Sequence, residues 1–270
     1  MSSRPRNSAW VGAGNRSGVH VGGFVGWDGK NHAARWDRAG RITALEQLPG
    51  AGGSSATDVD DTGLITGSAD TASGGSRAAI WDERGRLDVL PDLGGRYNWA
   101  GTIARSGKIL GIADRPEQAS CDCHNTVYWN RSGRLTDLGL PFGAKSTYPD
   151  GGMNDSGVVA GSAYSEVPGV PHAIRWDPRD RPADLGTLPG GSWSRALGIN
   201  ACGVVIGEAG TSDHATHAVY WNPAGQPEDL GALPGATWSS PAAVNDHDVV
   251  VGFSQDPQTF TGRAVEWRRR

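Results

Sequence analysis

A tryptophan returns along this chain at a nearly constant interval, at Trp36, Trp81, Trp129, Trp176, Trp221 and Trp267. The spacings are 45, 48, 47, 45 and 46 residues. Around each one lies the same phrase, WSRALGINACGVVIGEAGTSDHATHAVYWNPAGQPEDLGALPG in the fifth copy. Six copies account for nearly all of residues 1–270 and leave no room for a separate second domain. A chain repeated at this period is built from one small unit that buries its faces against copies of itself.

Each copy reads as four short strands, here a to d. Strand a is of the ALGIN type, strand b of the GVVIGEA type and strand c of the HAVYW type. Strand d is short and ends in DLG or a variant. Asn or Asp followed by Gly marks the a-to-b and c-to-d corners, because such pairs accept positive φ. No segment has the 3.6-residue apolar period of a helix, and 41 Gly disfavour a helical protein. Four strands per 40–50 residues predict an all-β, six-bladed β-propeller. The repeated Trp then sits between blades. Only five of the six Trp are followed by a strand d, so the last blade is expected to hold three strands, or to be completed by residues 1–7.

The phrase DLG-x-LPGG, S-x-A-x-x-IN-x-x-G-x-VVG and HA-x-x-W resembles the HAF repeat family over about 90% of the chain. The His-Ala pair stands at His32-Ala33, His172-Ala173 and His217-Ala218; the third motif position is Ala34, Ile174 or Val219. The strand order is similar to that of six-bladed propellers with NHL-type repeats, which implies that strand a is innermost. Members of the resembled family are often described as extracellular, and the resemblance says little about function.

Charge is nearly balanced at a formal -4, which argues against a nucleic-acid partner. No apolar run is long enough for a secretory leader or a membrane span. A cytoplasmic monomer with no membrane partner is therefore the expectation. Cys121, Cys123 and Cys202 are too few for a disulfide framework. Cys121-Asp122-Cys123-His124 offers three soft ligands at a spacing unlike a zinc site, so it reads as a metal site, a redox pair or a plain loop. No P-loop, G-x-S-x-G, G-x-G-x-x-G after a strand or HExxH is present, and no cofactor is expected. Residues 154–157 and 245–248 lack calcium-loop spacing and read as hairpin corners.

Function is sought on the face formed by the d-to-a and b-to-c loops, because the latter vary most. Trp10, Trp99, Trp193 and Trp238 lie at or before strand a, Trp27 lies in a b-to-c loop, and Tyr97, Tyr148 and Tyr164 map to the same face. They read either as packing or as an aromatic ligand pocket at one channel mouth. Alignment of the copies sets Asp150 where the others carry Val11, Ala56, Ala100, Ala196 and Pro241. Asp150, Asp58 and Arg195 are the candidate catalytic residues, although YPDGG is also a strong turn signal. Two readings follow: a small-molecule-binding propeller, or a cofactor-independent enzyme of cyclase, isomerase or lyase type with Asp150 as acid or base.

Overall fold

The computed structural model describes residues 8–50, 52–118, 121, 123–165, 170–256 and 261–268. The chain divides into two compact units, Met1–Asp137 and Leu138–Arg270. The suggested role of residues 1–7 lies outside the described residues.

The first unit holds three four-stranded antiparallel modules, each in chain order. They are β1 (Ala9–Gly14) to β4 (Ile42–Ala44) with β2 (His20–Val25) and β3 (Asn31–Trp36); β5 (Ser54–Val59), β6 (Ile65–Asp70), β7 (Ser76–Trp81) and β8 (Leu87–Val89); and β9 (Asn98–Ile103), β10 (Ile109–Ala113), β11 (Asn125–Trp129) and β12 (Leu135–Asp137). The second unit holds β13 (Ser146–Met153), β14 (Val159–Tyr164), β15 (Pro171–Trp176) and β16 (Pro182–Asp184), then β17 (Ser194–Ile199), β18 (Val205–Gly210), β19 (Thr216–Trp221) and β20 (Pro227–Gly231). Its last module has three described strands, β21 (Trp238–Val244), β22 (Val249–Asp256) and β23 (Thr261–Arg268). A single parallel bridge, Thr216 to Trp238, joins the last two modules. No helix among the described residues is long and apolar enough to cross a membrane.

The repeated phrase forms these modules for identifiable reasons. At the first corner of every module but the third, where Ala104 stands, a side-chain oxygen closes the turn: Asn15 Oδ1 accepts the Ser17 and Val19 N–H groups, and Gly18 takes φ +78°. Asn154 and Asn245, in the stretches with a faint calcium-loop look, close their corners in the same way. At the second corner, Asp177 Oδ1 accepts the N–H groups of Arg179 and Arg181, while Arg181 Nε donates to Oδ2 at 2.7 Å. Those bonds hold the Asp177 carboxyl at about 2. Asp37 with Arg41 and Asp82 with Arg86 repeat the device.

Within each unit the modules pack face to face. Trp81 and Trp129 are fully buried, each against the preceding module, and their indole N–H groups donate to the Glu46 and Pro91 carbonyls at 2.8 Å. Trp176 donates to Leu138 O at 3.3 Å, whereas the buried Trp221 Nε1 has no partner. Small partners such as Ala160, Ala173 and Ala196 let the sheets approach in the second unit. Two further contacts use the motif's polar residues. The buried Ser54, Ser194 and Ser239 hydroxyls accept the N–H groups of Ala33, Ala173 and Ala218 in the module before. The Asn side chains reach forward: Asn15 to Asp60 O, Asn154 to Asn200 O and Asn200 to Asn245 O. Buried polar groups are thereby paired across the module boundary.

Candidate functional site

Register places the candidate residues more securely than alignment does. Pairing between the first two strands of each module sets Trp10, Ser55, Trp99, Tyr148, Arg195 and Ser240 opposite Gly23, Ser68, Ile112, Ser162, Glu208 and Phe253. The next residue is Val11, Ala56, Ala100, Ala196 or Pro241 in five modules and Pro149 in the fourth. Asp150 is therefore one position later than the alignment put it, and it does not replace an apolar strand residue. It lies in a β-bulge. Every first strand has a bulge, but between Tyr148 and Gly152 the strand carries two residues more than its partner, where β17 carries one more between Ala196 and Gly198. Gly152 takes φ +79°, and a Cβ on Gly151 would meet Ala160 Cβ at 2.7 Å. The PDGG run is thus an enlarged bulge within β13, not a turn between strands. Bulges re-aim side chains, and this one turns Asp150 out to solvent.

A polar and aromatic cluster surrounds it in the second unit. The Tyr148 and Tyr164 rings meet edge to face, with centroids 5.4 Å apart and planes at 83°. Surrounding protein strips water from Asp150 and pushes its pKa up, while the Ser162 hydroxyl and the Arg195 guanidinium pull it down. Ser162 is fully buried, and its hydroxyl pulls harder on Asp150 than the Arg195 guanidinium does. Burial also raises the Tyr164 phenol, assisted by the negative charge of Asp150. Arg195 Nε donates to Glu208 Oε2 at 2.9 Å, and Nη2 lies 2.7 Å from the same oxygen in an ion pair. Glu208 is buried, and its Oε1 has no partner. Glu208 and Ser162 were missed from the sequence. The available signal was that Glu208 is the one charged residue at its register position.

The remaining candidates have other surroundings. Trp193 stacks over Gly210, where a Cβ would come within 2.5 Å of Nε1. Trp238 meets Phe253 edge to face at 4.7 Å. In the first unit, Trp10 lies across Gly23, and Trp99 Nε1 donates to Thr57 Oγ1 at 3.0 Å. Trp27 and Tyr97 are exposed, the latter beside Arg96. Asp58 Oδ2 accepts the Ile103 N–H and Oδ1 its neighbour Val59's, both at 2.8 Å. That carboxylate clamps one module to the next.

Cys121 and Cys123 are joined in a disulfide and His124 is buried, so the thiols are not presented as ligands. Among the described residues no group of three His, Cys, Asp or Glu side chains is placed to hold a metal. Two of the repeated His residues pair with the Asp of the DLG segment, His172 with Asp184 at 3.0 Å and His217 with Asp229 at 2.9 Å, whereas His32 pairs with Asp28 at 2.9 Å. Those Asp also accept the Gly186 and Gly231 N–H groups.

Comparison with solved structures supplies the fold's relatives. An oligogalacturonate lyase, solved in complex with manganese, superposes at a TM-score of 0.59 and 12% identity over 92% of this chain and 73% of that one. The β-propeller domain of the Trilobed protease from Pyrococcus furiosus gives 0.58 and 10% over 95% and 78%. TolB from Acinetobacter baumannii gives 0.52 and 12% over 84% of this chain and 54% of that chain. No protein-family model and no curated protein matches the sequence. At such identities the likeness establishes fold alone: the chain is built as an all-β protein of the β-propeller type.

Proposed function

We propose that this is a six-bladed propeller that binds a small molecule at the Asp150 cluster of its second unit. The observation that carries the reading is the enlarged bulge between Tyr148 and Gly152. It is a departure from the repeat, and it sets an exposed carboxylate beside a pair of tyrosines and an arginine held by a buried glutamate. A ligand finds there one charged anchor, aromatic edges for apolar contact and walls that weaken competition from water. Trp10, Trp27, Trp99 and Tyr97 belong to the first unit and are not part of the proposed site.

The test is a thermal-shift and fluorescence screen of a chemically broad small-molecule library, repeated on Asp150→Asn and Tyr164→Ala. Ligands that stabilise the native chain and lose their effect in both variants support the reading. A library that leaves Tm and emission unmoved overturns it.

The second reading is an enzyme in which Asp150 moves a proton. Its raised pKa favours that role, and an oligogalacturonate lyase shares the fold. In that case Asp150→Asn retains ligand binding and abolishes turnover, whereas in the binding reading the same substitution weakens binding itself.

A further inference from the structure

We propose that the ligand taken by the Asp150 cluster is an organic cation, a primary amine carried on an apolar or aromatic body. The inference rests on the binding reading above and adds the chemical class. Charge decides it. The cluster holds two carboxylates, Asp150 and Glu208, and one guanidinium, Arg195. Arg195 donates through Nε to Glu208 Oε2 at 2.9 Å and holds the same oxygen in an ion pair through Nη2 at 2.7 Å, so its charge is answered by a buried partner. Asp150 is left with the polar contact of the Ser162 hydroxyl, which brings no charge, and the field of an Arg195 already paired with Glu208. The cluster therefore carries one uncompensated negative charge, and it carries it at the exposed end.

The neighbours suit an ammonium better than another group. Tyr148 and Tyr164 set two aromatic rings beside the carboxylate. Aromatic faces attract a cation and also cover the carbon body behind it. Ser162 Oγ is wholly buried, lacks an ordinary hydrogen bond and acts on Asp150. A buried hydroxyl turned to the carboxylate steadies it from behind and leaves its exposed side for a ligand. An anionic ligand meets repulsion from Asp150 and an arginine already engaged. A neutral ligand leaves the charge unanswered in surroundings that penalise it.

The experiment titrates phenethylamine, phenethyl alcohol and phenylacetate, which share one carbon body, into the full-length chain by calorimetry and ligand-observed NMR. The amine is expected to bind about tenfold or more tighter than the alcohol, and phenylacetate not at all. Asp150→Asn, checked for native circular dichroism, should remove the amine's advantage and leave the alcohol unchanged. Glu208→Gln keeps the size of the side chain and frees the charge of Arg195. It should weaken the amine and admit phenylacetate. Asp28→Asn, an exposed carboxylate in the first unit, should change nothing. An alcohol that binds as tightly as the amine and loses affinity in Tyr164→Ala overturns the cation class and leaves the binding reading standing. If none of the three binds at millimolar concentration, the inference falls, and the library screen alone decides the binding reading.

Discussion

At the scale of single residues, Asp150 weighs against the fold that carries it. Its folded pKa lies above the ordinary 3.8, so the folded chain binds that proton more tightly than the unfolded chain does. The contribution of this group to stability is greatest in acid, below 3.8, and declines as pH rises through the raised value. Asp150→Asn should therefore raise Tm slightly near pH 7, and the gain should vanish near pH 3; differential scanning calorimetry at the two pH values reads it. A loss of Tm at pH 7 would mean that the carboxylate is a structural anchor. Asp177 shows the opposite sign. Its pKa is lowered to about 2 by Arg181 and backbone N–H groups, so what it contributes is present at neutral pH and is lost only in strong acid.

At the scale of strands and modules, the repeat Trp offer matched pairs. Trp129 Nε1 donates to Pro91 O, whereas the equally buried Trp221 Nε1 has no partner. Trp129→Phe and Trp221→Phe remove the same atoms, but only the first breaks a buried hydrogen bond. Urea unfolding should find Trp129→Phe more costly, by about 1–2 kcal/mol; equal costs would show that the indole N–H contributes nothing to stacking of the modules. The staples formed by the motif serines predict a second effect. Ser239 accepts the buried Ala218 N–H at 2.8 Å and donates to Gly231 O at 2.7 Å. Ser239→Ala orphans both and should cost about 1–3 kcal/mol by the same measurement.

At the scale of the whole molecule, the modules interact mainly with their neighbours, so distant changes should not communicate. Ser54→Ala acts between the first and second modules, and Ser239→Ala between the fifth and sixth. The two share no partner, and their unfolding free energies should add within about 0.5 kcal/mol. A larger coupling would show that stability is held by the assembly as a whole. A ligand at the Asp150 cluster should raise Tm with the logarithm of its concentration, and by the same amount in the Ser54→Ala variant as in the native chain.

The spacing of six Trp, the Asn-Gly and Asp-Gly corners and the alternation within ALGIN and HAVYW determined the all-β class and the strand order within a module. These are local patterns, and backbone geometry plus burial leaves them one reading. The pairing of His172 with Asp184 and of His217 with Asp229 was not legible there, because it joins neighbouring strands through side chains that the repeat phrase alone does not pair. The site was legible only in part. Asp150 and Arg195 stood out as charges in strands of small residues, but two residues absorbed by a bulge moved Asp150 off its aligned position. Ser162 and Glu208 gave no motif, because their importance depends on what pairing sets opposite them. Register, bulge size and the pairing of one carboxylate but not the other arise from contacts between strands distant in sequence, and only the tertiary structure decides those.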